Sequence, residues 1–222
     1  MTRRGRIVLK VAVWAACLTP LARLAHRTWH DALGANPISE LTNNLGGWAF
    51  DILLASLAMT PLRILLGVSW PVSLRRLLGL FAFAYAGLHF LVWVVLDQYF
   101  DWPSMFKDIV KRPYITVGMA ALTLLIPLAT TSTTAMIRRL GGRNWQRLHR
   151  LAYGAGVLAA LHFLWLAKKG RTDQYYHAAI LAVLLGIRVW DWGRRRLARL
   201  RPAPAAPAPA RGKSSRSGAQ SS

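Results

Sequence analysis

The chain has 222 residues, 54% of them hydrophobic, with a mean hydropathy of +0.29 and a formal charge of +21. So apolar a majority with so much charge argues against an ordinary soluble domain. The basic residues also fall between apolar runs rather than on one face, which argues against a nucleic-acid module. What fits is an all-α, polytopic membrane protein whose Lys and Arg mark the cytoplasmic loops.

Crossing a bilayer takes about 20 mostly apolar residues. Six segments qualify in chain order: Ile7–Ala25, Leu45–Leu66, Leu77–Leu96, Tyr114–Thr130, Leu148–Ala167 and Tyr175–Trp192. Arg3, Arg4 and Arg6 ahead of the first resemble a signal peptide, and Ala15-Ala16-Cys17 hints at a lipoprotein cleavage site. The apolar stretch continues past Cys17 to Ala25, however, so an uncleaved first helix is expected. Pro20, Pro61 and Pro127 fall within spans, where membrane helices tolerate them. Trp48, Trp70, Trp102, Tyr114, Trp145, Trp165, Tyr175, Tyr176, Trp190 and Trp192 cluster at span ends as an interfacial belt.

The loops set the orientation. One side collects Arg3, Arg4, Arg6, Arg75, Arg76, Arg138, Arg139, Arg143, Arg147 and the basic C-terminal tail. The other has Arg27, Lys107, Lys111, Arg112, Lys168, Lys169 and Arg171, diluted by Asp31, Glu40, Asp97, Asp101, Asp108 and Asp173. The Lys/Arg bias predicts both termini in the cytoplasm of a six-helix bundle spanning residues 7–192. Residues 193–222, basic and then rich in Pro, Ala and Ser, predict a disordered cytoplasmic tail.

One motif is deceptive. Gly154-Ala-Gly156-Val-Leu-Ala159 matches a dinucleotide fingerprint, but it lies inside an apolar span rather than between a strand and a helix. Small residues there instead let a neighbouring helix or a flat ring approach. No soluble nucleotide-binding domain is read anywhere in the chain.

The chemistry points to histidines. His89 lies about 10 Å and His162 about 8 Å from the outer ends of their segments. Histidine in hydrocarbon is costly, so two at one depth suggest a shared ligand, and haem iron accepts a neutral imidazole on each side. The alternative is that each simply hydrogen-bonds across the bundle. The single cysteine excludes a Cys-x-x-Cys-His attachment, so such a haem is b-type. His149 lies about 20 Å nearer the cytoplasm than His162. The corresponding place before His89 holds Arg76, so a symmetrical four-histidine, two-haem arrangement fails. His149 is left as ligand of a second haem, as a contact for a propionate or flavin phosphate, or as a structural residue; Arg76 could serve an anion at that level. His26 and His30 have the one-turn spacing of a metal pair without an obvious third ligand. His177 reads as interfacial.

Several ordered motifs accompany these histidines: Asn36-Pro-Ile-Ser-Glu-Leu-Thr42, Arg75-Arg76-Leu-Leu-Gly-Leu80 with Leu88-His89, Arg112-Pro-Tyr-Ile-Thr-Val-Gly118, Thr131-Ser132-Thr133, and Trp145-Gln-Arg-Leu-His149-Arg-Leu-Ala-Tyr153. Together they resemble the MsrQ family of membrane haem subunits, part of the ferric-reductase-like transmembrane group, over about residues 7 to 192. That resemblance implies a multi-pass, inner-membrane b-type cytochrome serving MsrP, a periplasmic molybdopterin enzyme that reduces methionine sulfoxide in oxidised proteins. It also implies FMN, and the quinone pool or a cytosolic flavin reductase as electron donor. The family's haem histidines carry over onto His89, His149 and His162, leaving one haem or two; no motif matches a flavin site. The acidic loops with Asp97, Asp101, Asp108 and Asp173 are then candidates for meeting the acceptor.

Two other classes compete. A cofactor-free transporter needs a polar path across the bundle, whereas Asp51, Arg63 and Arg188 lie nearer the ends of their spans than the centre. A ferric reductase would need a separate flavoprotein to supply electrons.

Overall fold

A computed structural model describes residues 2–166 and 172–200. Lys168, Lys169 and Arg171, used for orientation, and the tail from residue 201 onward lie outside the described residues. Among the described residues all regular structure is helical. Helix α1 covers Arg3–Trp29, α2 Pro37–Leu66, α3 Arg75–Val92, α4 Trp102–Lys111, α5 Pro113–Thr130, α6 Thr134–Leu140, α7 Gly142–Leu148, α8 Leu151–Trp165 and α9 Asp173–Leu200.

Two closely packed pairs, α2 with α3 and α5 with α8, form the core. They join through contacts of α3 with α5 and of α2 with α8, while α9 lies against α2 and α8. Leu57, Ala82, Tyr85 and Ala155 are almost fully buried where these helices meet. The small residues of α8 serve that packing: a Cβ on Gly156 would come within 2.9 Å of Leu57 on α2.

Helix α1 attaches through a prolyl break. Pro20 disturbs the ladder there, and the Tyr85 hydroxyl of α3 inserts into it. The hydroxyl donates to the Cys17 carbonyl at 2.6 Å and accepts from the Leu21 N–H at 3.1 Å. In α2, Pro61 removes the donor for the Leu57 carbonyl, and Arg188 of α9 supplies one at 3.2 Å. Helix α2 then ends on Gly67, which adopts the left-handed conformation at φ 67° that favours glycine.

Four helices are long and apolar enough to cross a membrane: α1, α2, α3 continued to Asp97, and α5. The expected fifth segment does not run unbroken from Leu148. His149 ends α7 with its Nδ1–H turned back to the Trp145 carbonyl, and the 15-residue α8 begins only at Leu151. At about 22 Å, α8 is short for a hydrocarbon core of about 30 Å. Helix α9 carries Gln174, His177, Arg188 and Asp191 within its length.

Helix α9 also continues to Leu200, beyond the boundary expected at Trp192. Asp191 pairs with Arg195 at 2.8 Å and with Arg194 at 3.7 Å, and Arg194 and Arg196 stack on Trp190 and Trp192. Such one-turn pairs carry the helix through a run that reads as a plain basic tail. The loop expected after the third segment contains α4, capped by the Asp101 side chain on the Ser104 N–H and leaving Trp102, Phe106 and Val110 exposed.

Candidate functional site

His89 projects from α3 and His162 from α8, and their ring centroids stand 6.3 Å apart with planes at 77°. Each ring is tied on its far side. His89 donates from Nδ1–H to the Thr42 carbonyl of α2 at 2.9 Å. His162 donates from Nδ1–H to the Tyr114 carbonyl of α5 at 2.7 Å. A carbonyl can only accept, so both imidazoles have the proton on Nδ1 and a lone pair on Nε2. Neither Nε2 has a hydrogen-bond partner among the described residues.

A glycine makes each tie feasible. Gly46 follows Thr42 by one helical turn, and Gly118 follows Tyr114 by the same interval. A Cβ on Gly46 would lie 3.0 Å from the His89 ring, and one on Gly118 would lie 2.8 Å from His162 Nδ1. The rings therefore rest on bare helix backbone, and this close approach lets Nδ1 reach the carbonyl one turn earlier. The device occurs twice, once in each helix pair, with 47 residues between Thr42 and His89 and 48 between Tyr114 and His162.

The loops that set these carbonyls are themselves fixed. Asn36 accepts from the Ser39 N–H at 3.0 Å and Pro37 opens α2, while Glu40 accepts from the Gly34 N–H at 2.7 Å and pairs with Arg27 at 2.6 Å. Pro113 opens α5 in the same way, one residue before Tyr114. The Asn36–Thr42 and Arg112–Gly118 motifs thus each present a carbonyl, with the glycine one turn later closing the second motif and following the first, a role that residue types alone do not announce.

This arrangement suits a metal centre reached by two neutral imidazoles. Two rings bound from opposite sides at about 2.0 Å per nitrogen would have centroids about 6 Å apart, close to the spacing found. Hydrogen bonding of the distal ring nitrogen to a carbonyl is the usual support for a ligating histidine.

The other expected residues stand apart. His149 stacks on Trp145 with centroids at 3.8 Å, and its Nε2 lies 3.4 Å from the Ser132 hydroxyl. Burial pushes its pKa below the ordinary value; its bond to the Trp145 carbonyl opposes this and the nearby Arg75 charge adds to it. The Trp145 indole donates to the Thr131 carbonyl at 2.9 Å, so these two motifs fold onto each other. No histidine faces His149 among the described residues. Arg76, expected at that level, is exposed; its neighbour Arg75 is the one turned inward, toward Tyr153. Leu78 and Ala82 of α3 are buried, and Arg75 shares their face while Arg76 falls on the opposite one.

The His26 and His30 rings lie 4.4 Å apart, tilted by 47°, and no group of three potential ligands occurs among the described residues. His177, read as interfacial, instead meets Asp51 of α2 at 2.7 Å between Phe50 and Phe163. The partners are 126 residues apart, and nothing local in the sequence announces the contact.

The chain matches the family described as ferric reductase like transmembrane component over residues 45–161, an interval that contains Gly46, His89, Gly118 and His149 and stops one residue before His162. It is also similar to proteins named protein-methionine-sulfoxide reductase heme-binding subunit MsrQ. The one from Ralstonia nicotianae is 51% identical over 185 residues, covering 82% of this chain and 85% of the relative. That from Rhodospirillum rubrum is 51% identical over 187 residues, covering 84% and 90%. That from Xanthomonas euvesicatoria pv. vesicatoria is 49% identical over 215 residues, covering 93% and 98%. With half-identity sustained over most of both lengths, this membrane protein belongs to the ferric reductase like transmembrane component family and, within it, to the MsrQ family.

Proposed function

We propose that this chain is the b-type haem, electron-transfer subunit of a protein-methionine-sulfoxide reductase system, with the haem iron between Nε2 of His89 and Nε2 of His162. The observation that carries the reading is the pair of pinned imidazoles with free Nε2 atoms and ring centroids 6.3 Å apart. The relatives' printed name, a heme-binding subunit, supports it independently.

A haem held there supplies reversible one-electron chemistry within the bilayer. The residues of the chain do the rest. The Thr42 and Tyr114 carbonyls hold each imidazole in the ligating tautomer and raise its basicity. Gly46 and Gly118 let the rings sit against the supporting helices. The apolar helices α2, α3, α5 and α8 exclude water and so favour electron transfer over proton leakage.

In this reading α1, α2, α3, α5, α8 and α9 cross the bacterial inner membrane with both termini cytoplasmic. The short α8 is accommodated by its neighbours and by local thinning of the bilayer. Helix α4 lies in the outer interface with Trp102, Phe106 and Val110 toward lipid. Electrons enter from the quinone pool or a cytosolic flavin reductase, with FMN as a second cofactor. They leave at the periplasmic loops carrying Asp97, Asp101, Asp108 and Asp173, where an MsrP-like molybdopterin reductase docks and repairs oxidised proteins.

The test is a visible spectrum of the purified chain with haem and flavin counted per polypeptide, followed by mixing the reduced protein with MsrP or with a ferric chelate. A Soret band and reoxidation by MsrP are expected. A protein without a Soret band is no haem subunit, and reoxidation by the chelate alone makes it a ferric reductase component.

A further inference from the structure

A second polar cluster lies at the end of the core opposite the histidine pair, and its charge is uncompensated. Arg188 reaches from α9 to the Leu57 carbonyl left free by Pro61, using one of its five donors. Its Nε is buried without a hydrogen-bond partner among the described residues. The guanidinium carbon stands 4.6 Å from the centre of the Tyr153 ring, and that of Arg75 stands 6.0 Å from the same ring. Neither arginine has a carboxylate within ion-pair distance among the described residues.

Satisfying the Leu57 carbonyl explains one donor of Arg188 and does not explain the convergence. An arginine at membrane depth ordinarily meets an acid or a carbonyl, because desolvated like charges repel. Here two guanidiniums arrive from α3 and α9 at the ring of Tyr153 on α8. Planar guanidinium forks match the paired oxygens of a phosphate, and basic pockets between membrane helices hold phosphate head groups.

We propose that Arg75 and Arg188, with Tyr153, form a binding site for the phosphate group of a molecule held at this end of the bundle. Two sources present that chemistry: the head group of an anionic lipid and the phosphomonoester of a nucleotide-type cofactor. The proposal stands on residues other than the histidine pair, so it and the haem site can fail separately; its nucleotide source rests on the FMN of the proposed function, and its lipid source does not.

The test uses the full-length chain, purified in detergent and stripped of lipid. FMN is titrated by fluorescence, and phosphatidylglycerol by native mass spectrometry with phosphatidylcholine as the zwitterionic reference. Arg188→Lys keeps a donor for the Leu57 carbonyl while losing the fork; Arg75→Gln removes a side chain that holds no backbone group. Matching far-UV circular dichroism and elution show that the variants are folded. The wild-type chain is expected to bind one of the two ligands, and both variants to bind it about tenfold more weakly, the usual scale for a charge-assisted hydrogen bond. FMN binding identifies the nucleotide source, and preferential phosphatidylglycerol binding identifies the lipid. Wild-type protein that holds neither ligand, or folded variants that bind as the wild type does, would overturn the proposal.

Discussion

At one end of the core, His89 and His162 each give Nδ1–H to the carbonyl of a neighbouring helix and keep Nε2 free; at the other end, His149 gives Nδ1–H to its own turn. The contrast lies in the acceptor. A carbonyl on a facing helix, exposed by a glycine one turn later, pulls the ring across the helix pair and fixes its direction. A carbonyl four residues back on the same strand of chain folds the ring onto Trp145 and leaves its Nε2 toward the Ser132 hydroxyl rather than toward another histidine. The histidine end, outer in the proposed orientation, is therefore organised in advance for a ligand approached from both sides. The opposite, proposed inner, end gathers Arg75 and Arg188 around Tyr153.

The sharpest way to break this comparison is to remove the outer imidazoles. His89→Ala and His162→Ala are each expected to abolish the low-spin haem spectrum while the chain remains inserted and helical. The measurement is the reduced-minus-oxidised spectrum together with haem per chain. An unchanged low-spin signal in either variant would remove that residue from the pair.

A smaller effect should follow from leaving the ligands in place and filling the space beneath them. Gly118→Ala sets a Cβ where His162 Nδ1 now stands 2.8 Å away, and Gly46→Ala sets one 3.0 Å from His89. The ring must shift, weakening its bond to the carbonyl, and loss of such support typically costs about 10–100-fold in metal affinity. Haem retention should fall, and the midpoint potential of what remains should rise because the imidazole becomes a weaker base. Gly118→Ala should be the more severe. Gly47→Ala is the control, since a Cβ there meets nothing within 4 Å. If Gly47→Ala behaves like its neighbour, the effect belongs to the helix and not to the cradle.

How far all this was legible depends on the range of the interaction. The apolar runs announce α2 and α5, whose ends at Leu66 and Thr130 fall where hydropathy stops. Depth alone brings His89 and His162 to one level, because helical rise is a local rule. The break before α8 was hidden, since Leu148–Ala167 is apolar throughout apart from His149, Arg150 and His162, and only the back-bonded His149 interrupts it. Counting residues along a helix puts Arg76 at the level of interest, while the face that turns inward, with Arg75 on it, is set by the packing of α3 against α2 and α5. The Asp51–His177 contact and the Arg188 bond to Leu57 join residues over 100 positions apart, and no local pattern carries them. Of the two cradle glycines, Gly118 closes a motif and Gly46 lies four residues beyond one, and the purpose of both needs the partner helix.

The mildest test sharpens the contrast from the inner side. His149→Ala removes a ring that touches Trp145 and, at 3.4 Å, the Ser132 hydroxyl, and it leaves Thr42, Tyr114 and both glycines untouched. If the two ends are independent, the low-spin spectrum of the outer pair should be unchanged in shape and midpoint potential. Any loss should fall on whatever the inner end holds, and the counts of haem and flavin per chain say which. Haem reduced by half with the outer spectrum intact would make His149 the ligand of a second haem; flavin reduced with haem intact would make it a flavin contact. Normal counts with a normal reduction rate would leave it as the residue that ends α7 and sets the start of α8. Loss of the outer low-spin signal is the outcome that breaks the comparison. It would mean that the turn at His149 fixes the position of α8 along its axis, and with it the reach of His162 toward Tyr114.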